Sequence, residues 1–234
     1  MSQRHARTIQ SRAGQTVRSR DKGLSKRLAF GETAAVSRDN PYRKPDRFTE
    51  AAKKAGFPAR SVYKLEEIDR RVRLLRVGMR VLDLGACPGS WSMYVANKIG
   101  AKGRLLALDL EPLVVGLPAH AKFVQGDALS LDNSDLAMFA PYDVVLSDMA
   151  PRTTGNRLGD QTRSYELFMR SLAVAATLLT PGGAFVGKIF MGEDLPAARA
   201  EVRKLFDKER LIRPEGTRTV SYEVFVIAEG RKSA

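Results

Sequence analysis

The sequence predicts an α/β fold: a parallel sheet with helices on both faces. Three observations carry that prediction. Short, nearly continuous apolar strands alternate with helical stretches from residue 80 onward. A glycine-rich turn joins the first of these strands to the helix that follows it. The next strands each run into an acidic residue at or just past their carboxyl ends. Strands that are apolar on both sides belong in sheets covered on both faces, and crossover helices provide that cover.

Each element has its own reason. Residues 48–55 and 61–75 read as helices, and in the second Val62, Leu65, Ile68, Val72 and Leu75 recur three or four apart. Residues 80–85 (RVLDLG) form the first strand and 90–99 a helix. Residues 104–109, 121–125 and 142–148 form the second, third and fourth strands. Residues 160–179 form a long helix, which Thr180, Pro181, Gly182 and Gly183 end. Residues 183–188 are the fifth strand, 195–210 a helix and 222–228 a final strand.

The chain has 234 residues, enough to bury a full core without disulfides or metals. Its single cysteine, Cys87, excludes a disulfide within the chain and fits a reducing, cytoplasmic setting. No apolar run is long enough to span a bilayer, and the basic start lacks the apolar core of a secretory signal. The net charge is +13, and it is unevenly placed. Residues 1–60 hold fifteen Lys and Arg against five Asp and Glu, a surplus of ten. Such a block points to a polyanion partner, most often nucleic acid; its plainer reading is a solvated tail. Residues 1–41 have no sustained period and are expected to be a flexible basic extension, with one folded domain over 42–234. The five arginines and absent acids of the first twenty residues also fit a mitochondrial transit peptide, although the apolar face such peptides need is weak.

The chemistry concentrates at strand ends. The stretch DLGACPGSW at 83–91 is a strand-to-helix glycine turn, where an open α/β sheet binds a nucleotide-like ligand. Pro88 removes an amide donor that a pyrophosphate cradle would use. Gly85 and Gly89 allow close backbone approach. A nucleoside cofactor without phosphates, such as S-adenosylmethionine, suits that turn, although such a turn taken alone reads first as packing glycines. Asp109 ends the second strand, 24 residues after Gly85, placed to accept from a ribose diol. Asp127, in QGD at 125–127, could accept from an adenine amino group. A loop acid and a helix cap are the structural alternatives for these two.

The fourth strand leads into SDMAP at 147–151, which places Asp148 at the rim of the sheet. Lys188 interrupts an apolar fifth strand, and Glu223 an apolar last strand. A lysine is rarely buried without a partner, so the two are expected to pair. Lys188 reads either as a snorkelling strand-end lysine or as a desolvated one able to act as a base. Lys64 lies on an amphipathic helix, where a lysine usually faces solvent. The histidines, His5 and His120, sit in no metal-ligand spacing, and no metal is expected.

Taken in order, RSVYKL at 60–65, DLGACPGSW at 83–91, QGD at 125–127, SDMAP at 147–151, PGGAFVGK at 181–188 and SYE at 221–223 resemble the FtsJ/RrmJ-type (RlmE) ribosomal RNA 2′-O-methyltransferases. The likeness runs from about residue 41 to 232. It implies a Rossmann-like methyltransferase fold over 42–234 with a mostly parallel seven-stranded sheet. It also implies a catalytic Lys-Asp-Lys-Glu tetrad, falling here on Lys64, Asp148, Lys188 and Glu223. The cofactor would be S-adenosylmethionine, with Gly85, Gly89, Trp91, Asp109, Asp127 and Asp148 around it. Two features depart from the pattern: Cys87 stands where a small residue is usual, and the basic extension is longer.

The expected reaction is in-line transfer of the methyl group to a ribose 2′-hydroxyl, with Lys188 accepting the proton. The expected substrate is a uridine of the large-subunit ribosomal RNA, with phosphates met by Arg60, Lys64, the segment 152–163 and Arg218. A monomer is the default. The alternatives are a tRNA 2′-O-ribose methyltransferase and a non-catalytic ribosome-assembly factor that binds RNA; the filled tetrad argues against the second.

Overall fold

The computed structural model describes residues 46–233. The expected basic extension over 1–41, with its transit-peptide reading, lies outside the described residues. Asp46 starts the first helix, α1 (Arg47–Lys54), because its side chain accepts from the Thr49 amide at 3.0 Å and so satisfies an orphan donor of the first turn. Helix α2 (Val62–Val72) follows and stops at Arg73, whose φ of 53° is left-handed. The remaining elements are β1 (Arg80–Leu84), α3 (Ser90–Ile99), β2 (Arg104–Asp109), β3 (Ala121–Gln125), β4 (Tyr142–Ser147), α4 (Arg157–Leu178), β5 (Leu179–Phe190), α5 (Leu195–Leu205), β6 (Phe206–Ile212) and β7 (Glu223–Arg231).

The strands form one seven-stranded sheet in the order β3-β2-β1-β4-β5-β7-β6. The first five are parallel, and β7 runs antiparallel to both β5 and β6. Alternation along each strand divides the core in two. Leu82, Leu84, Val145, Phe185, Val224 and Val226 pack towards α4 and α5. Val81, Val144, Leu146, Val186, Phe225 and Ile227 pack towards α2 and α3. The order of strands reverses between β1 and β4. At such a switch point the loops leave in opposite directions and open a crevice at the carboxyl ends of the strands.

One expected element is wrong. Residues 195–210 do not form a single helix: α5 ends at Leu205, and β6 follows along β7. The stretch DKER between Phe206 and Ile212 has good helix formers and no alternating apolar pattern. Pairing with β7 and burial of Phe206 and Ile212 at its two ends override that preference. The charges then lie on an edge strand, where they discourage pairing with other chains.

Candidate active site

Gly85 sits where β1 meets β4. Its φ is +80°, and a Cβ there would stand 2.7 Å from the Met149 amide nitrogen, so only glycine fits. Gly89 has φ +114°, and a Cβ would collide with the Val115 side chain. The glycine loop is pinned by Asp109, whose Oδ2 accepts from the Cys87 amide at 2.8 Å while Oδ1 accepts from the Glu111 amide at 2.9 Å. Asp127 turns the chain after β3 by accepting from the Leu129 amide at 2.9 Å. Both acids therefore have structural duties, and each carboxylate retains further acceptor capacity.

Between these loops lies an open cleft. Gly85, Asp109 and Asp127 line it with Leu108, Met149 and Leu167. The lining has two carboxylates and neither lysine nor arginine, a charge balance that disfavours a pyrophosphate. Acceptors for hydroxyl and amino groups between apolar walls fit a phosphate-free nucleoside carrying positive charge. Met149 and Leu167 were not foreseen as site residues. Apolar residues in a strand-end motif and in a helix carry no chemical mark in the sequence.

Beneath the loop Asp83 is fully buried. Its Oδ2 accepts from Ser92 Oγ at 2.6 Å, and its Oδ1 has no partner. Burial, chiefly, pushes its carboxyl up to about 7, against the opposing effect of the Ser92 hydrogen bond and with help from the charges of Asp148 and Asp109.

The two lysines and two acids form two ion pairs. Asp148 follows β4, its amide donating to Leu84 O at 3.0 Å. Ser147 is paired with Gly187, so Asp148 and Lys188 emerge side by side. Lys188 Nζ donates to Asp148 Oδ1 at 2.9 Å and also to the Asp148 carbonyl. Lys188 is only 6% exposed, so it is not a snorkelling lysine. Glu223 is the partner of Lys64 instead. The expected pairing of Lys188 with Glu223 is thus corrected: each has its own counter-ion, because α2 lays Lys64 against the start of β7. Lys64 accordingly does not face solvent; its side chain is 13% exposed.

Strand register brings the pairs together. Lys188 stands opposite Phe225, and Phe190 opposite Glu223. Residues two apart on a strand share a face, so Lys188 and Glu223 point the same way, one diagonal step apart. The Lys64 ammonium lies 6.0 Å from the centroid of the Phe225 ring.

The segment carrying Arg60 and Lys64 is fastened to α3. Ser90 Oγ accepts from the Ala59 amide at 2.8 Å and donates to Ala59 O at 3.0 Å. Trp91 Nε1 donates to Ser61 O at 2.9 Å. The Trp91 ring is buried against Phe225, apart from the cleft. Arg60 donates to Gly216 O and is ion-paired with Asp46. Arg218 Nε lies 4.0 Å from the same Asp46 oxygen. In the segment 152–163, Arg152 is nearly fully exposed beside Glu111, and Arg163 is paired with Asp160. Among the described residues no cluster of histidine, cysteine and acid side chains could hold a metal ion, and no helix is long and apolar enough to cross a membrane.

The FtsJ-like methyltransferase family profile matches residues 57–231. A ribosomal RNA large subunit methyltransferase E from Sorangium cellulosum is 66% identical over 195 residues, covering 83% of this chain and 92% of that protein. Its counterpart from Desulfatibacillum aliphaticivorans is 47% identical over 188 residues, covering 80% and 91%. Among solved structures, Aeropyrum pernix fibrillarin with natively bound S-adenosyl-L-methionine shares the fold with a TM-score of 0.53 at 16% identity, over 72% of this chain and 76% of that one.

Proposed function

This chain belongs to the FtsJ-like methyltransferase family, and from that premise we propose that it methylates a ribose 2′-hydroxyl of large-subunit ribosomal RNA, at a uridine, using S-adenosylmethionine. The observation that carries this reading is that the β5–β7 register brings two lysine–carboxylate pairs together, with Asp148 next to Met149 of a cleft that holds carboxylates and no basic side chain. Residues 42–234 are the methyltransferase domain, acting as a cytoplasmic monomer on RNA of the large subunit.

Gly85, Gly89, Asp109, Asp127 and Asp148 would hold the cofactor, which supplies a methyl carbon on a good leaving group. Trp91 supports them from the core. The task left to the protein is to align the ribose oxygen with that carbon and to take its proton. Lys188 is assigned the proton. Two Asp148 oxygens, Oδ1 and the main-chain carbonyl, accept from Lys188 Nζ and hold it in a fixed position from which it would meet the ribose hydroxyl. Lys188 Nζ would take the hydroxyl proton as that oxygen meets the methyl carbon the cofactor would supply. Lys64 and Glu223 orient the ribose, and Arg60 and Arg218 meet the RNA backbone.

Methyl transfer from labelled S-adenosylmethionine, comparing large ribosomal subunits from a strain lacking the endogenous enzyme with bulk tRNA, tests the reading. Label on one ribose of the large subunit, lost in Lys188→Ala, is expected. Label on tRNA alone overturns the substrate. No label on either, with cofactor still bound, overturns the enzyme reading in favour of an assembly factor.

A further inference from the structure

A second cavity, of about 260 Å³, is lined in part by the Lys64–Glu223 pair. Arg60 and Arg218 line it, with Gly216 and Ser221. Their side chains are 14% and 24% exposed, which is deep for guanidinium groups. Burial, chiefly, and the charge of Arg218 depress the basicity of Arg60, against the opposing charge of Glu223. Glu223 lines the same cavity, and Asp46 adds a second anion at the arginines: its Oδ2 is ion-paired with Arg60 and lies 4.0 Å from Arg218 Nε.

We propose that this cavity is a subsite for a phosphodiester of the RNA strand next to the target ribose, and that the Asp46 carboxylate holds the phosphate's place until RNA displaces it. The proposal rests on the reading above for the identity of the polymer. A phosphodiester has the same charge as a carboxylate and two free oxygens that accept from guanidinium in the same way, so one can replace the other without changing the electrostatics of the pocket. It would also make bonds that Asp46 cannot, because the Asp46 carboxylate is divided. Its Oδ1 already accepts from the Thr49 amide and hydroxyl, both at 3.0 Å, and only Oδ2 faces the arginines. The Asp46 side chain is 37% exposed at the very start of α1, so it can turn away without disturbing the core. Arg60 would remain aimed. Its guanidinium donates to Gly216 O and lies 5.3 Å over the Phe48 ring, and its backbone segment is tied to Ser90 and Trp91.

The plainer alternative makes Asp46 a staple that holds Arg60 in position. The two ideas predict opposite signs. Asparagine caps a helix as well as aspartate does, so Asp46→Asn keeps α1 and removes only the charge. For a stand-in, removal frees the site: Asp46→Asn should bind a large-subunit ribosomal RNA fragment about three- to tenfold more tightly, with a salt slope steeper by roughly the 0.7–0.9 of one added phosphate contact. It should bind inorganic tripolyphosphate more tightly as well. Equal or weaker binding of both overturns the proposal. In the wild-type protein, the Arg60 and Arg218 Nε–Hε resonances should shift on titration with tripolyphosphate; if they stay fixed, the subsite is refuted whatever the variant does. Tripolyphosphate binding needs no methyl transfer, so its failure removes the subsite alone, while RNA that binds here but is never methylated removes the enzyme reading alone.

Discussion

Phe225 stands directly opposite Lys188 across the antiparallel seam between β5 and β7, and its ring lies under the ammonium of Lys64. One aromatic side chain thus sets the floor between both ion pairs. It is fully buried and also packs on Trp91, with ring centroids 5.7 Å apart. Leucine at this position keeps the apolar volume in part and removes the ring face. Phe225→Leu is therefore expected to retain cofactor affinity and lose about ten- to a hundredfold in kcat, the scale of a small misplacement of reacting groups. Single-turnover kinetics beside a cofactor titration would check this. A loss of cofactor binding in step with kcat would show instead that the substitution had spoiled the fold of the cleft.

Asp83 makes stability depend on pH in an unusual direction. Its folded carboxyl is pushed up to about 7, whereas an unfolded aspartate titrates near 3.9. Between these values the folded state binds more protons, so stability is fully present below pH 4 and is lost as pH rises through 7. From pH 5.5 to pH 8 this one group should remove about 2 kcal/mol. Other carboxylates change stability the opposite way: Asp160, held low mainly by the Thr154 amide, is one. The test is therefore a difference. Urea denaturation of wild type and Asp83→Asn at the two pH values should show the wild type losing about 2 kcal/mol more than the variant. Parallel losses would mean that Asp83 is ionised in the fold at both values.

Gly85 faces two obstacles to substitution. Its left-handed φ costs any L-residue about 1–2 kcal/mol, and a methyl group would press on the Met149 backbone as well as on its side chain, so moving the side chain alone gives no relief. Because Gly85 and Met149 both line the cleft, relief by shifting the loop would alter the cleft itself. Gly85→Ala should fold with a lower melting temperature and bind S-adenosylmethionine at least about tenfold more weakly, a loss of ~1.4 kcal/mol. Calorimetric titration would decide; wild-type affinity would place the cofactor elsewhere.

Much of this architecture was legible in the residues, and the failures have physical causes. Apolar strands around Lys188 and Glu223 marked both as buried charges, because burial of a charge in such a context is costly and needs a reason. Their partners were not legible. Lys64 belongs to a helix whose local pattern makes it a surface residue, and only the docking of α2 on the sheet brings it to Glu223. The strand β6 was hidden because its charged residues favour a helix locally and its strand state depends on β7, some twenty residues later. Asp83 was visible within the glycine motif, but its missing hydrogen-bond partner is a property of the packed structure.

Trp91 is the residue whose role most needs a separating experiment. The family likeness places it at the cofactor. Here its indole N–H donates to Ser61 O, and its ring is 2% exposed. A buried indole spends its only donor once. The bond fixes the stretch that leads from Arg60 to Lys64, so Trp91 is expected to serve the RNA side of the reaction through that stretch. Trp91→Phe keeps an aromatic ring and deletes the donor, leaving Ser61 O with the Lys64 amide alone. The expected result is a cofactor Kd within about twofold of wild type, and a rise of roughly three- to tenfold in KM for RNA, the scale of one net hydrogen bond of about 1 kcal/mol. Restoring the RNA KM by lowering the salt concentration would fit a loosened Arg60, since phosphate contacts strengthen as salt falls. A weakened cofactor Kd with an unchanged RNA KM would return Trp91 to the cofactor cleft.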